Sequence, residues 1–125
     1  MQSPKLQRIN LTAHLGDLIV NGATAASFWQ GQLTCDVNSV TATHSSLAAR
    51  CNLKGRAVGL GRLYYVDQQH RLTLPRALLT ITEQSLKLYA QLSRVKLSQD
   101  GPPRLGILGS EAEAWLSEQG VVPPI

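Results

Sequence analysis

The sequence predicts an α+β domain, a mostly antiparallel sheet with helices packed on it that is partly ferredoxin-like. Segments in which apolar residues recur at every second position alternate with segments that have the 3.6-residue period of a helix. Turn sequences rich in Asn, Asp and Gly separate the strand-like segments, which favours hairpins between consecutive strands. A chain of 125 residues has the length of one domain, so we expect a single domain over residues 1–125.

The first part of the chain predicts one strand and one helix. Residues 1–10 are polar, and they either fray or pair at a sheet edge. Residues 17–21 form the first strand, and a turn follows at Gly22. A helix is then predicted over residues 24–33, with Thr24 as its cap.

The middle of the chain predicts a three-strand meander. Residues 45–53 and 56–66 form a hairpin in which Gly55 supplies the positive φ of a tight turn. Residues 72–74 continue the meander after a turn at residues 67–70.

The last part of the chain begins with the longest predicted helix, residues 75–92, in which Pro75 occupies the first helical position. Its apolar stripe is wider than a surface helix requires, which indicates contact with something beyond the sheet. Strands at residues 94–97 and 105–109 follow. A final helix is predicted to start at Ser110, with Glu113 completing a capping box.

Composition excludes several classes of protein. The net charge is +4, but the 12 basic residues are scattered, so direct nucleic-acid binding is expected to be weak at most. No apolar run is long enough to span a bilayer. The chain has two cysteines and no signal-peptide pattern, which indicates a reducing cytoplasm. The three histidines lie at no metal-ligand spacing from either cysteine, so no metal site is predicted.

The cysteine and the two glycines of the predicted hairpin are interpreted as structural residues rather than as parts of a functional site. Cys51 lies in a strand with no neighbouring base, so we expect it to be buried and inert. Gly59 and Gly61 lack the pattern of a phosphate-binding loop. Inside a strand they indicate a bulge or a close approach of two backbones.

Two groups of polar residues are candidates for a binding site. Gln30, Gln32, Thr34 and Asp36 gather many donors and acceptors near a helix end. Such a cluster either joins loops together or awaits a ligand. The second group, Lys54 and Arg56, flanks the hairpin glycine and is either a solvated turn or an anion contact.

Several motifs resemble the folate-binding protein YgfZ family, which is related to the aminomethyltransferase (T-protein) of the glycine cleavage system. Residues 28–37 carry the pattern Phe-x-Gln-Gly-Gln-Leu-Thr-x-Asp-Val, similar to the N-terminal signature of that family. Residues 47–56 are similar to its Lys-Gly-Arg/Lys hairpin. The likeness continues, in order, through residues 62–64, 74–76, 86–89 and 93–97.

The resemblance implies a folate-binding domain that supports iron–sulfur enzymes and tRNA modification. A tetrahydrofolate would lie in a cleft between the loop of residues 30–36 and the sheet, with Gln32 reading the pterin. Its glutamate tail would face basic residues such as Lys54 and Arg56. Partners would then be folate and iron–sulfur enzymes or assembly proteins.

Two departures from the family limit the expected function. The family's Lys-Gly-Cys-x-x-Gly-Gln motif is absent, so we expect either an N-terminal fragment or a naturally reduced member. Gly59 and Leu60 stand where the aminomethyltransferases use a catalytic aspartate. No catalytic residue is therefore assigned, and one-carbon transfer on tetrahydrofolate is an alternative function. A further alternative is an interaction module that binds a second copy or a missing domain through the helix of residues 78–92.

Overall fold

The computed structural model describes residues 5–121. The predicted segments at residues 1–4 and 122–125 lie outside this part of the chain. The strands are β1 (Gln7–Asn10), β2 (Leu15–Asn21), β3 (Ser46–Cys51), β4 (Ala57–Val66), β5 (Gln69–Pro75), β6 (Lys96–Ser98) and β7 (Leu105–Leu108). The helices are α1 (Ala25–Gln32), α2 (Arg76–Leu92) and α3 (Ala112–Glu118), with a 3-10 turn at Val37–Ser39.

The strands form two antiparallel sheets in the described residues. The central sheet has the order β3-β4-β5-β2-β6, and β1 pairs with β7 in a second, two-stranded sheet. The α+β class and the antiparallel meander β3-β4-β5 are therefore confirmed. Pairing of β1 also confirms that part of the polar N-terminal segment joins a sheet edge.

The central sheet has an inner face, which packs on α1 and α2, and an outer face turned away from them. Strand alternation sends Leu72 and Leu74 to the inner face and Thr73 to the outer face. Trp29 of α1 and Leu79 of α2 complete the apolar core, with exposed fractions of 0% and 1%. Full burial of each such side chain contributes about 1.5–3 kcal/mol, so the inner face carries most of the hydrophobic stabilisation.

Two close backbone features shape the meander. The turn between β4 and β5 is formed by Asp67 and Gln68, whose φ angles of 51° and 62° match the left-handed residues of a two-residue hairpin. A Cβ atom at Gly61 would lie 2.1 Å from the carbonyl oxygen of Thr73 on β5. The close-approach interpretation of Gly61 is thus confirmed. The bulge interpretation fits Gly59, because Arg50 pairs with Gly59 and Cys51 pairs with Ala57, which leaves Val58 as an extra residue beside this glycine.

Thr24 is the N-cap residue of α1, as predicted, but neither of the two predicted helix caps forms a side-chain capping bond. Thr24 makes no side-chain cap, because its hydroxyl donates instead to the carbonyl oxygen of Ser93 at 3.1 Å. The last helix has Glu111 rather than Ser110 at its N-cap position, and no side chain caps it. Pro75 is the last residue of β5 and the N-cap of α2, one position before the predicted place.

Cys51 is exposed, which contradicts the expected burial. It is the last residue of β3, next to the register shift of the hairpin, and it borders a cleft rather than the packed core. The other cysteine, Cys35, is half-buried, and burial is the main cause that raises the pKa of its thiol. The Cys35 thiol therefore lacks the lowered pKa of a nucleophile.

Candidate functional site

Gln30 joins α1 to the loop that follows it. Its Oε1 accepts a hydrogen bond from the backbone N–H of Val37 at 2.8 Å, and its Nε2 donates to the carbonyl oxygen of Cys35 at 3.4 Å. Both functions of the carboxamide are used within the protein. Gln30 therefore has a structural role in this arrangement.

Thr34 and Asp36 also make internal hydrogen bonds. The Thr34 hydroxyl accepts from the backbone N–H of Ala49 at 3.0 Å, which ties the end of α1 to β3. The carboxylate of Asp36 accepts from the backbone N–H of Asn38 at 3.0 Å and caps the 3-10 turn. For these residues the geometry supports the interpretation that the cluster joins loops.

Lys54 and Arg56 lie at the exposed tip of the β3–β4 hairpin. Their backbone N–H groups both donate to the side-chain oxygen of Asn52, at 3.0 and 3.1 Å. Gly55 between them has φ +78°, as predicted for this turn. Neither Lys54 nor Arg56 lines either of the two clefts described below, although their hairpin neighbours Asn52 and Leu53 border one of them.

Gln32 borders a cleft on the inner face, between the end of α1, the β3–β4 hairpin and α2. This inner cleft has a volume of about 560 Å³. Leu72 and Leu74 form its floor, and Tyr89 of α2 contributes to its wall. Gln32 is the member of the predicted cluster that reaches a cleft.

Arg50 is the charged residue of the inner cleft. Its Nε atom is buried and has no hydrogen-bond partner in the described structure. No acidic side chain is among the described residues that line the cleft. A buried donor without a partner is costly, so this guanidinium is suited to an anion.

A polar network lies on the outer face around the buried carboxylate of Asp17, which is 3% exposed. The hydroxyl groups of Tyr64 and Thr73 both donate to it, the latter at 2.7 Å. Arg104 donates to the same carboxylate and to the Thr73 hydroxyl oxygen at 2.8 Å. The network joins β2, β4 and β5 to the segment that leads into β7.

Tyr64 remains a protonated phenol in this network. Burial is the main cause that raises its pKa above the ordinary value, and the hydrogen bond and charge of Asp17 raise it further. The guanidinium of Arg104 lies 5.5 Å from the centre of the Tyr64 ring and acts on this pKa in the opposite direction. The phenol therefore serves as a donor.

The network forms one end of a second cleft, the outer cleft, with a volume of about 620 Å³. Its walls are mostly apolar, from Leu15, Leu47, Leu60 and Pro75. Leu47 and Leu60 are 62% and 61% exposed, which is unusual for neighbouring leucines on a sheet. Such an exposed apolar shelf beside polar groups is typical of a site for a flat organic ligand.

The outer cleft was not among the sites predicted from sequence. Its polar residues, Asp17, Tyr64, Thr73 and Arg104, are far apart along the chain and meet only through strand pairing. Two signals were available: a carboxylate inside an apolar strand at Asp17, and the Tyr64–Tyr65 pair. Strand alternation sends two adjacent tyrosines to opposite faces of a sheet, and Tyr64 is the one that faces away from the core.

Neither a metal-ligating cluster nor a membrane-spanning helix is found among the described residues. No group of three or more metal-ligating side chains occurs within residues 5–121. No helix in that range has the length and hydropathy needed to cross a membrane.

The chain is similar to curated proteins named tRNA-modifying protein YgfZ. It is 32% identical over 115 residues to the one from Photobacterium profundum, covering 92% of this chain and 35% of the relative. It is 28% identical over 118 residues to the one from Vibrio atlanticus, covering 92% of this chain and 36% of the relative. This chain thus spans about a third of the length of these relatives.

The fold is similar to a glycine cleavage system aminomethyltransferase T from Bartonella henselae. The TM-score is 0.78 at 15% identity, with 94% of this chain and 33% of that chain covered. No protein-family model matches the chain. The sequence and fold similarities agree with the predicted resemblance, and the chain is a relative of the YgfZ tRNA-modifying proteins with the fold of one part of aminomethyltransferase T.

Proposed function

We propose that this chain binds a folate, such as tetrahydrofolate, in the outer cleft. We further propose that it belongs to a cytoplasmic protein that supports iron–sulfur enzymes and tRNA modification. The observation that carries the binding proposal is the exposed shelf of Leu47 and Leu60 beside a fixed polar network. The similarity to YgfZ proteins supports the wider role.

The chemistry of the outer cleft fits the parts of a folate. The pterin and aminobenzoyl groups are flat and largely apolar on their faces, so they can cover Leu47 and Leu60. The Tyr64 hydroxyl donates its proton to Asp17, so its oxygen remains an acceptor at the cleft end, where a pterin edge can donate to it. Arg62, whose guanidinium donates to Ser45 at 2.8 Å on the rim, offers a positive charge to the glutamate tail.

The arrangement supports binding better than one-carbon transfer. Transfer requires a group that can take up a proton near the folate amine. The carboxylate of Asp17 already accepts from Tyr64, Thr73 and Arg104, and it is held as an ion pair. Gly59 and Leu60 supply no alternative base.

The site predicted from sequence remains a second location for the same ligand. Gln32 borders the inner cleft, but Gln30, Thr34 and Asp36 use their side chains inside the protein. Only one of those four residues is thus free to contact a folate there. The outer cleft offers the exposed shelf of Leu47 and Leu60, which flat rings can cover, together with the rim guanidinium of Arg62.

A second candidate role is contact with another domain or copy through α2. Ile81, Leu88 and Leu92 are 65%, 62% and 75% exposed on this helix. This supports the prediction that the wide apolar stripe serves a contact beyond the sheet. The dispersed basic residues support weak direct contact with tRNA at most.

Titration with tetrahydrofolate under anaerobic conditions tests the binding proposal. Leu60→Glu places a charge on the outer shelf and is expected to weaken binding at least about tenfold, or about 1.4 kcal/mol. Leu88→Glu is the matched control, because Leu88 is equally exposed but borders neither cleft. It should bind folate as the unaltered chain does.

Gln32→Leu separates the two locations. In the outer cleft, folate binding does not depend on Gln32. A loss of about 1–3 kcal/mol in Gln32→Leu, with Leu60→Glu unaffected, would place the folate in the inner cleft. Absence of binding by the unaltered chain at millimolar tetrahydrofolate would contradict the proposal altogether.

A further inference from the structure

We propose that the inner cleft is a separate site for a small organic anion, one that joins a single carboxylate to a flat apolar body. The carboxylate would pair with Arg50, and the apolar body would cover the leucine floor. This inference does not depend on folate binding in the outer cleft, which lies on the opposite face of the sheet.

The first argument is the state of the Arg50 guanidinium. The ion pairs of the described residues are Arg71 with Asp67 and Arg104 with Asp17, so Arg50 takes part in neither. Its buried Nε has no acceptor. Arg50 is also the sole lysine, arginine, aspartate or glutamate among the described residues that line the cleft. A carboxylate would supply both the missing acceptor and the missing charge.

The second argument is the shape of the floor. Gly59 pairs with Arg50 across the hairpin and has no side chain to fill the cleft. A Cβ atom at Gly59 would have the Cδ2 atom of Leu74 as its nearest contact, at 3.9 Å, so there is open space above the strand. Leu72 and Leu74 beneath that space are 1% and 2% exposed. The floor is therefore apolar, and the open space of the cleft lies above it at Gly59.

The third argument comes from the walls. Ile81 and Tyr89 of α2 line the cleft and are 65% and 44% exposed, so they can contact both edges of a flat ligand. Gln32 faces them from the end of α1 and offers a carboxamide that can donate and accept. A volume of about 560 Å³ lies within the range of small-molecule sites. Charge, floor and walls together specify an aryl monocarboxylate.

The test uses 2-naphthoate as the probe and the ¹⁵N-labelled chain. We expect saturable shifts of the Arg50 Nε–H signal and of the Gln32 side-chain amide in NMR spectra. The neutral amide 2-naphthamide lacks the charge, and acetate lacks the apolar body. Each should bind at least about tenfold more weakly than 2-naphthoate. Equal binding of 2-naphthamide would overturn the role of Arg50.

Two variants and one control complete the test. Arg50→Gln removes the charge and Gly59→Val fills the floor, and each should weaken 2-naphthoate binding at least about tenfold. Arg71→Gln removes a guanidinium from the outer face of the sheet and should leave this binding unchanged, since its partner Asp67 is exposed. Thermal melting checks that each variant is folded. Unchanged binding in a folded Arg50→Gln or Gly59→Val variant would overturn the proposal.

Competition distinguishes this site from the folate site. Tetrahydrofolate should shift signals of the outer cleft without displacing 2-naphthoate from Arg50. Displacement at Arg50 would show that the inner cleft is the folate site, and the inference of a separate site would fail.

Discussion

The two faces of the central sheet each carry an arginine beside a cleft, but the two arginines are in opposite states. Arg104 on the outer face pairs with a buried carboxylate and also contacts Thr73 and Tyr64. Arg50 on the inner face has a buried Nε without a partner in the described part of the chain. An arginine side chain thus completes a hydrogen-bonded network on the outer face, whereas on the inner face an arginine has a donor without an acceptor.

This difference separates structural polar groups from binding groups. A paired guanidinium stabilises the protein because its removal leaves a buried charge behind. An unpaired buried donor costs free energy on folding, and a ligand is the group that would offset that cost. The same distinction applies to Gln30 and Gln32, which are two residues apart in α1.

The largest effect is expected from the two arginines. Arg104→Leu leaves the Asp17 carboxylate without its countercharge, and we expect it to lower the free energy of unfolding by about 3 kcal/mol. Arg50→Leu removes a buried donor that has no partner, so we expect it to leave the free energy of unfolding unchanged or to raise it. Urea unfolding measures both. Similar losses of unfolding free energy in the two variants would show that Arg104 and Arg50 do not differ in their contribution to stability.

An intermediate effect is expected from the two glutamines. Gln30→Leu leaves the backbone N–H of Val37 without its acceptor and should lower the free energy of unfolding by about 1 kcal/mol. Gln32→Leu is expected to stay within about 0.5 kcal/mol of the unaltered chain, because its side chain faces the inner cleft. Thermal unfolding of the pair under identical conditions tests this. A larger loss of unfolding free energy in Gln32→Leu than in Gln30→Leu would show that Gln32, and not Gln30, has the structural role.

The smallest effect concerns the alkaline behaviour of the outer face. The pKa of Tyr64 in the folded protein is raised above its ordinary value of 10.0, so the folded state holds this proton more tightly than the unfolded state. The resulting stability is fully present below about pH 10 and is lost as pH rises toward the folded-state pKa. Tyr64→Phe has no proton to lose at this position.

Unfolding free energies at about pH 8 and about pH 10.5 test this sign. The unaltered chain should lose more stability between the two values than Tyr64→Phe does. Tyr65→Phe is the control, because Tyr65 packs against the core and contacts His70 rather than Asp17. An equal loss of stability in Tyr64→Phe and in the unaltered chain would show that ionisation of Tyr64 does not cause the loss at alkaline pH.

Local patterns predicted most of the fold. The β3–β4 hairpin and α2 were predicted because their signals, a turn glycine and a helical apolar period, lie within a few residues of one another. The N-cap position of Thr24 was predicted correctly, but its capping bond was not, because its hydroxyl has an acceptor in Ser93, far along the chain. Cys51 is exposed at the end of β3, where the strand alternation breaks off.

The candidate site was harder to predict than the fold. Gln32 was predicted to read a pterin, and it borders the inner cleft; its role toward a pterin stays a prediction. The outer network was missed because Asp17, Thr73 and Arg104 meet only after β2 and β5 pair and the β6–β7 connection crosses them. The spacing of these residues along the chain does not indicate that they come into contact in the fold.

The two-stranded sheet has a consequence for the order of folding during synthesis. Strand β1 pairs with β7, and nearly all of the described chain lies between them. The partner of β1 therefore leaves the ribosome only after the whole central sheet has emerged. Pairing of strands that are far apart along the chain costs loop-closure entropy before any stabilising contact forms. We therefore expect β1 to pair with β7 last. Until then its edge is open to chaperones and to neighbouring nascent chains.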